Sequence, residues 1–322
     1  MRKLIFTTLV FFFSTDFIWA NEEENPIGIL FPQAEFLNHY TARIPFKVID
    51  QLIVVEAEFL NKKGNFIIDT GAERLILNKV HFPKGKRLTK KRKEMTGVTR
   101  IVDQPYERKL SEFILHNLNL KNKKSDVIDL SHIEKSKKMH LLGIIGYNIL
   151  KDYEVFIDLY LNQITLSRVD KRGNKLDDKV YAEEVSDTLD FDLRKHTIVV
   201  SGFVNNEKVR FALDTGAEFN QLNKKIDKKI LEKFRPIKHL SMVGAGNKKI
   251  RVLAGKLYDF RLNERIGVGP MYTIVTNLRK MSEAYGTYVD GVIGYEFLKY
   301  KRTIINYKKE KLYFIKSPIF SP

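Results

Sequence analysis

The chain has 322 residues, a formal net charge of +17 and no cysteine. The lack of cysteine excludes disulfide scaffolds, thiol catalysis and thiolate metal sites. With 43% hydrophobic and 11% aromatic residues, the composition excludes a long disordered chain and is sufficient for one large or two small cores.

The N-terminus has the pattern of a secretory signal. Arg2 and Lys3 precede an apolar run at residues 4–13 that is shorter than a membrane-spanning helix requires. Residues 18–20, Ile-Trp-Ala, resemble a cleavage site and are followed by a polar segment from Asn21. We predict a signal peptide over residues 1–20 and export to the periplasm, cell envelope or medium; the alternative is an uncleaved anchor. No later apolar stretch is long enough to span a membrane, so no transmembrane segment is expected in the mature chain.

Residues 84–93, KGKRLTKKRK, are the densest basic run. Such a run is typical of a site for an anionic surface or of a solvated loop. No aromatic residue interrupts it to stack on bases, which favours the loop. We therefore expect no nucleic-acid partner.

The chain contains an internal duplication. Residues 52–77 resemble residues 197–222, and both segments contain Asp-Thr-Gly-Ala-Glu, at 69–73 and at 214–218. The two motifs are 145 residues apart. An identical five-residue motif after similar flanks in one chain indicates duplication, which is sought before other features.

A second pair of motifs follows in the same order. Gly-Ile-Ile-Gly-Tyr at 143–147 matches Gly-Val-Ile-Gly-Tyr at 291–295, an offset of 148 residues. Two copies are too few for a solenoid, so the pattern predicts two lobes related by pseudo-symmetry.

Each repeat has the composition of paired strands. Short apolar runs alternate with polar turns, and an apolar stretch after each glycine motif is compatible with a short helix. We predict an all-β fold with short helices. In the first repeat the predicted strands are residues 53–55 and 66–68, with a turn at 63–65. In the second repeat they are residues 199–200 and 211–213, with a turn at 205–207.

The repeats define the domain organisation. The predicted segments are a signal peptide (1–20), an N-terminal segment (21–45), a first lobe (46–168), an inter-lobe linker (169–194), a second lobe (195–315) and a C-terminal tail (316–322).

The repeated Asp-Thr-Gly motif carries the candidate chemistry. Asp69 and Asp214 each follow an apolar strand, and the glycine two residues later allows a sharp turn. Two carboxyls about 3 Å apart cannot both ionise readily, so one pKa rises and the other falls. One carboxylate can then take a proton from water while the other carboxylic acid donates to a carbonyl. This pairing would hydrolyse an amide without a metal, a thiol or a serine nucleophile.

These motifs and their spacing resemble the retropepsin family of aspartic proteases, and most of all the bacterial exported aspartyl proteases with two such units in one chain. The resemblance covers residues 45–168 and 195–315. It implies two retropepsin-like acid-protease lobes and aspartic endopeptidase activity on a peptide or protein substrate. It also implies no cofactor and a monomer that contains an intramolecular pseudo-dimer.

The resemblance assigns roles to the first three residues of the Asp-Thr-Gly-Ala-Glu motif in each lobe. Asp69 and Asp214 would be the catalytic pair that activates the water. Thr70 and Thr215 would form an interlocking hydroxyl pair beneath the acids. The following glycines, Gly71 and Gly216, would support the turns and contact substrate backbone.

The resemblance also implies substrate-binding positions and flaps. Glu73 and Glu218 stand where retroviral enzymes carry an Asp that binds substrate main chain. Arg74 has no counterpart at Phe219, so the half-sites are not equivalent. The remaining residues assigned to substrate binding or to candidate flaps are Ala72, Ala217, Gly97, Gly244 and Gly246. The flap segments are equally compatible with ordinary hairpins.

Other functional signatures are missing from the sequence. The histidines show no His-x-x-x-His or His-Glu-x-x-His spacing, so no metal site is predicted. No nucleophile elbow or phosphate loop occurs. Asp158 in the first repeat is matched by Asn306 in the second, so neither is predicted to be catalytic. The seven histidines are His39, His81, His116, His132, His140, His196 and His239.

Three functional hypotheses remain. The first is an active endopeptidase, the second a catalytically inactive peptide- or protein-binding module on the same scaffold. The third is an enzyme in which each lobe pairs with another molecule instead of with the other lobe of its own chain. Both acids are intact, which favours the enzyme. The covalent link between the lobes gives intramolecular pairing the higher effective concentration.

Overall fold

The computed structural model describes ten stretches of the chain. They are residues 12–13, 31–32, 34–83, 89–91, 95–96, 101–102, 106–115, 118–177, 183–243 and 249–316. The candidate flap glycines Gly97, Gly244 and Gly246 lie outside these residues, as do most of the predicted signal peptide and of the basic run.

The first half of the chain forms fifteen strands and two short helices in the described residues. In chain order they are β1 (Phe12–Phe13), β2 (Glu35–Phe36), β3 (Thr41–Pro45), β4 (Lys47–Ile49), β5 (Leu52–Phe59), β6 (Lys62–Ile68), β7 (Leu75–Asn78), β8 (Thr89–Lys91), β9 (Met95–Thr96), β10 (Ile101–Val102), β11 (Tyr106–Leu115), β12 (Leu118–Ile128), α1 (Ser131–Ser136), β13 (Leu141–Ile145), α2 (Tyr147–Leu150), β14 (Tyr153–Asp158) and β15 (Gln163–Arg168).

The second half has a similar succession of elements. They are β16 (Val185–Asp190), β17 (Asp192–Arg194), β18 (Thr197–Val204), β19 (Glu207–Leu213), β20 (Asn220–Asn223), α3 (Lys228–Leu231), β21 (Phe234–Val243), β22 (Lys249–Leu257), β23 (Phe260–Arg261), β24 (Gly267–Val268), β25 (Met271–Thr276), α4 (Arg279–Tyr285), β26 (Gly291–Ile293), α5 (Tyr295–Leu298), β27 (Arg302–Asn306) and β28 (Lys311–Ile315).

The two lobes have the same strand order. The first sheet runs β5-β6-β13-β7-β12-β11-β8 and the second β18-β19-β26-β20-β25-β22-β21. The first closes on itself because β5 also pairs with β11. In both lobes the glycine-motif strand pairs in parallel with the strand that leads to the acid, β13 with β6 and β26 with β19. The prediction of an all-β fold with short helices in two pseudo-symmetric lobes is confirmed.

The hairpins that lead to the acids turn at equivalent positions. Residues 205–206 form the turn in the second lobe, with φ of 53° and 63°, which confirms the predicted turn at 205–207. In the first lobe the turn is at residues 60–61, with φ of 52° and 59°, and the predicted turn at 63–65 is wrong. A two-residue turn with positive φ at both positions is what a tight hairpin requires. Gly64 lies instead within β6, against the side chain of Leu142.

A third sheet joins the two lobes. Its order is β16-β28-β27-β14-β15-β3-β2, and Phe156 faces Ile304 where the two halves meet. The strands β3 and β16 occupy equivalent outer positions in it. Their residues lie in the segments 21–45 and 169–194, for which no strands were predicted.

The apolar core is shared between the lobes. One cluster contains side chains from both lobes and from the joining sheet, including Phe66, Phe211 and Phe314. A smaller cluster fills each lobe on the other side of its sheet. The lobes therefore have a common core, which fixes the position of one relative to the other. Within the described part of the chain, none of the helices has the length and apolar character to cross a membrane.

Candidate active site

The two motif acids lie at the ends of buried strands. Asp69 follows β6 and Asp214 follows β19. The backbone N–H of Asp69 donates to the Ile145 carbonyl (3.0 Å), and that of Asp214 donates to the Ile293 carbonyl (3.0 Å). Each acid is thus anchored to the strand of the glycine motif, which explains why the two motifs occur together in each repeat.

The threonines that follow the acids hold the two loops together. The Thr70 backbone N–H donates to Thr215 Oγ1, and the Thr215 N–H donates to Thr70 Oγ1, both at 3.0 Å. Each hydroxyl in turn donates to a carbonyl of the opposite lobe, Leu213 at 3.2 Å and Ile68 at 2.8 Å. These buried reciprocal bonds cross the pseudo-two-fold axis and position the acids relative to each other.

Backbone donors orient one oxygen of each carboxyl. Asp69 Oδ1 accepts from the N–H groups of Gly71 (2.8 Å) and Ala72 (3.0 Å). Asp214 Oδ1 accepts from the Gly216 N–H at 2.8 Å. These bonds fix the orientation of both carboxyl groups.

The motif glycines permit the acids to approach each other. A Cβ atom on Gly71 would lie 2.4 Å from Asp214 Oδ2, and one on Gly216 would lie 2.7 Å from Asp69 Cγ. Real Cβ atoms do not approach so closely, so any other residue would displace the opposite carboxyl. The two acids therefore form a single pair across the lobes.

Burial controls the ionisation of the pair. Asp69 is 1% exposed and Asp214 2%. Burial, together with the negative charge of Asp214, raises the pKa of Asp69 well above its ordinary value. Burial also raises the pKa of Asp214. The pair therefore keeps a proton at a pH where isolated carboxyls would have lost theirs.

The second glycine motif supports the residue after each Asp-Thr-Gly. The N–H groups of Tyr147 and Tyr295 donate to the carbonyls of Ala72 (2.8 Å) and Ala217 (3.0 Å). A Cβ on Gly294 would lie 2.1 Å from the Ala217 carbonyl oxygen. Both alanines are buried, and the glycine motifs pack directly beneath the loops that hold the acids.

Two residues near the acids were missed by the sequence reasoning. The hydroxyl of Tyr285, at the end of α4, donates to Asp214 Oδ2 at 3.5 Å. His196 contacts the backbone of Gly71, and burial lowers its pKa to about 4, so the ring is neutral at pH 7. Neither position is shared between the repeats: at the 148-residue offset, Tyr285 corresponds to Lys137. The one sequence signal for Tyr285 was an aromatic residue shortly before the second glycine motif that has no aromatic counterpart in the first repeat.

Tyr285→Phe should shift the pH dependence of any reaction that uses the acid pair. The hydroxyl lowers the pKa of Asp214, so its removal should raise that pKa and move the acidic limb of the rate profile to higher pH. Loss of one hydrogen bond worth about 1 kcal/mol corresponds to roughly a fivefold lower rate. The measurement is kcat/KM against pH, with the exposed Tyr300→Phe as control. An unchanged profile for Tyr285→Phe would contradict this role.

The two motif glutamates have different surroundings. Glu218 Oε1 lies 2.8 Å from Lys137 Nζ, and their side chains are 3% and 1% exposed. Because Lys137 belongs to the first lobe, this ion pair joins the lobes. Glu73 has a 30% exposed side chain, 3.5 Å from Arg74 Nε. The half-sites are therefore inequivalent, and of the two glutamates only Glu73 is open to a substrate in this structure.

The candidate flap segments are flanked by strands. Val243 pairs with Lys249 at the end of the β21–β22 hairpin, and Thr96 pairs with Ile101 in the first lobe. Gly97, Gly244 and Gly246 lie outside the described residues, so their role stays a prediction.

Comparison with known proteins identifies no family by sequence. No family model matches the chain, and no curated protein matches it. Among solved structures it is similar to basic 7S globulin from soybean, with 9% identity over 86% of this chain and 95% of that one and a TM-score of 0.48. A retropepsin-like aspartic protease from Rickettsia conorii matches with 19% identity over 40% of this chain and 90% of that one, with a TM-score of 0.30. These comparisons assign no role to the residues of the site.

Proposed function

We propose that the chain is an aspartic endopeptidase that hydrolyses peptide bonds with a water activated by Asp69 and Asp214. The observation that carries the proposal is the pairing of two buried acids by reciprocal threonine bonds between the lobes. A scaffold that only bound peptides would not need two carboxyls in contact, since their mutual repulsion destabilises the folded chain.

One proton on the pair is sufficient for the reaction. The ionised carboxylate takes a proton from water as the oxygen attacks the carbonyl carbon, and the protonated carboxyl donates to the carbonyl oxygen. The resulting gem-diol intermediate collapses when the protonated carboxyl donates its proton to the nitrogen, the C–N bond breaks, and one gem-diol hydroxyl returns a proton to the ionised carboxylate. The products are a carboxylic acid and an amine, and the dyad again holds one proton.

The substrate proposed is a peptide or protein in an extended conformation. The Asp-Thr-Gly loops present backbone groups beside the acids, and Glu73 offers a partly exposed carboxylate in the same loop. Glu218 is proposed to join the lobes instead of contacting substrate, because Lys137 already neutralises it. The proposed active species is a monomer with an intramolecular pseudo-dimer and no cofactor.

Digestion of a peptide library by the purified chain tests this proposal. Wild type should cleave a subset of peptides across acidic to neutral pH, and a chelator should not reduce the rate because the dyad uses no metal. Asp69→Asn, with the same fold by circular dichroism, should leave the library intact. Wild type that binds peptides stoichiometrically but cleaves none would favour the catalytically inactive binding module.

A further inference from the structure

Three side chains with metal-binding atoms meet on the first lobe, away from the acids. Atoms of His81, Glu134 and His140 that could bind a metal all lie within 4.8 Å of one another. His81 Nε2 is 2.9 and 3.0 Å from the two carboxylate oxygens of Glu134. His140 Nε2 is 3.3 Å from His81 Nδ1.

The three residues come from separate segments that neighbouring asparagines position. His81 lies just after β7, Glu134 in α1 and His140 just before β13. Asn78 Nδ2 donates to Glu134 Oε2 at 2.9 Å, and Asn65 Nδ2 donates to the His140 carbonyl at 2.8 Å. Such outer hydrogen bonds orient ligands in metal sites and fix their conformation before an ion binds.

The donor set fits a borderline divalent ion. Two imidazoles and one carboxylate are a common protein ligand set for Zn²⁺, which leaves a fourth position for water. The nearby cation Lys62 donates to the His81 carbonyl at 2.9 Å and so is held on the backbone side of that histidine.

The pseudo-symmetry shows that the fold itself does not require this cluster. The turn after β7 and its equivalent after β20 make the same bond, from the His81 N–H to Asn78 (3.0 Å) and from the Ile226 N–H to Asn223 (2.9 Å). The second lobe thus builds the same backbone without the metal-binding side chains. The equivalent residues there are Ile226, Ser282 and Tyr288.

We propose that His81, Glu134 and His140 bind one divalent transition-metal ion, with Zn²⁺ the best fit. The ion ties the turn after β7, helix α1 and the start of β13 to one another. The ion has a structural role, because the cluster lies near Asn65 in β6 and therefore away from the acid pair. The four residues from Asn65 to Asp69 span about 13 Å of extended strand. The proposal is independent of the peptidase assignment.

Zn²⁺ titration of the chelator-treated full chain by calorimetry, with metal counting, tests the site. Wild type should bind one equivalent, its melting temperature should rise with added Zn²⁺, and Co²⁺ should give the absorption of a four-coordinate site. His81→Gln and His140→Gln should each weaken binding at least tenfold. The exposed His239→Gln is the matched control and should bind as wild type does.

A triple variant that copies the second lobe, H81I/E134S/H140Y, separates this site from catalysis. It should bind no Zn²⁺ and keep the peptide hydrolysis of wild type. Failure of wild type to bind a stoichiometric ion would overturn the proposal, as would wild-type affinity in folded His140→Gln.

Discussion

Asp69→Asn and Asp214→Asn are each expected to lower kcat/KM for peptide hydrolysis by about 10⁴-fold or more. Either change removes one half of a pair that must supply a base and an acid at once. The double variant should be little worse than either single one, because residues that act as a unit give non-additive losses. Wild type should show a bell-shaped rate profile bounded by the two apparent pKa values of the pair.

The same variants should fold and should be at least as stable as wild type at neutral pH. Burial raises the pKa of both acids, so above pH about 4 the folded chain holds protons that the unfolded chain has released. Wild-type stability should therefore fall as pH rises through the raised pKa values, and Asn removes that dependence. Urea unfolding at several pH values measures it. Near-normal activity of folded Asp214→Asn would show that the second motif is structural.

Arg302→Met should cost about 3–5 kcal/mol of folding free energy, the usual effect of breaking a buried ion pair. Arg302 in β27 donates to Asp158 in β14 through Nε (3.0 Å) and a terminal nitrogen (2.5 Å), and also bonds Glu183. The side chains of Arg302 and Asp158 are 8% and 0% exposed. The variant would leave a buried carboxylate without its cation where the two repeats meet.

The matched control is Arg279→Met, which removes an exposed ion pair with Glu283 four residues on. That pair should contribute less than about 1 kcal/mol because solvent screens it. Asp158→Asn combined with Arg302→Met should recover part of the loss. Urea unfolding of the four proteins measures the difference, and equal stability of Arg302→Met and Arg279→Met would contradict the structural role of Asp158.

The duplication made the acids predictable. Each Asp-Thr-Gly motif is followed by a glycine motif at a similar distance, and this order occurs twice. Such a repeat indicates two copies of one fold unit, so it predicted both the lobes and the candidate pair of acids. The outer strands β3 and β16 were not predictable in this way. Ala42 and Ile44 of β3 are buried and β16 is largely exposed, so the two strands share no sequence pattern. Their strand conformation depends on pairing with β15 and β28.

Contacts present in only one repeat could not be predicted from the sequence either. Glu218 matches Glu73 in the motif, yet its buried partner Lys137 follows helix α1 of the other lobe, which the sequence did not predict. His81 and His140 are 59 residues apart, far from any familiar metal-binding spacing. Such pairings depend on tertiary packing, which local sequence does not encode.

Mixing the two single-Asn variants tests the central claim most directly, that one chain supplies both acids of one site. Specific activity of wild type should be constant on dilution, and an equimolar mixture of Asp69→Asn and Asp214→Asn should be as inactive as either alone. If the acids paired between molecules, the mixture would regain activity or wild type would lose it on dilution. Either of those results would contradict the intramolecular pair.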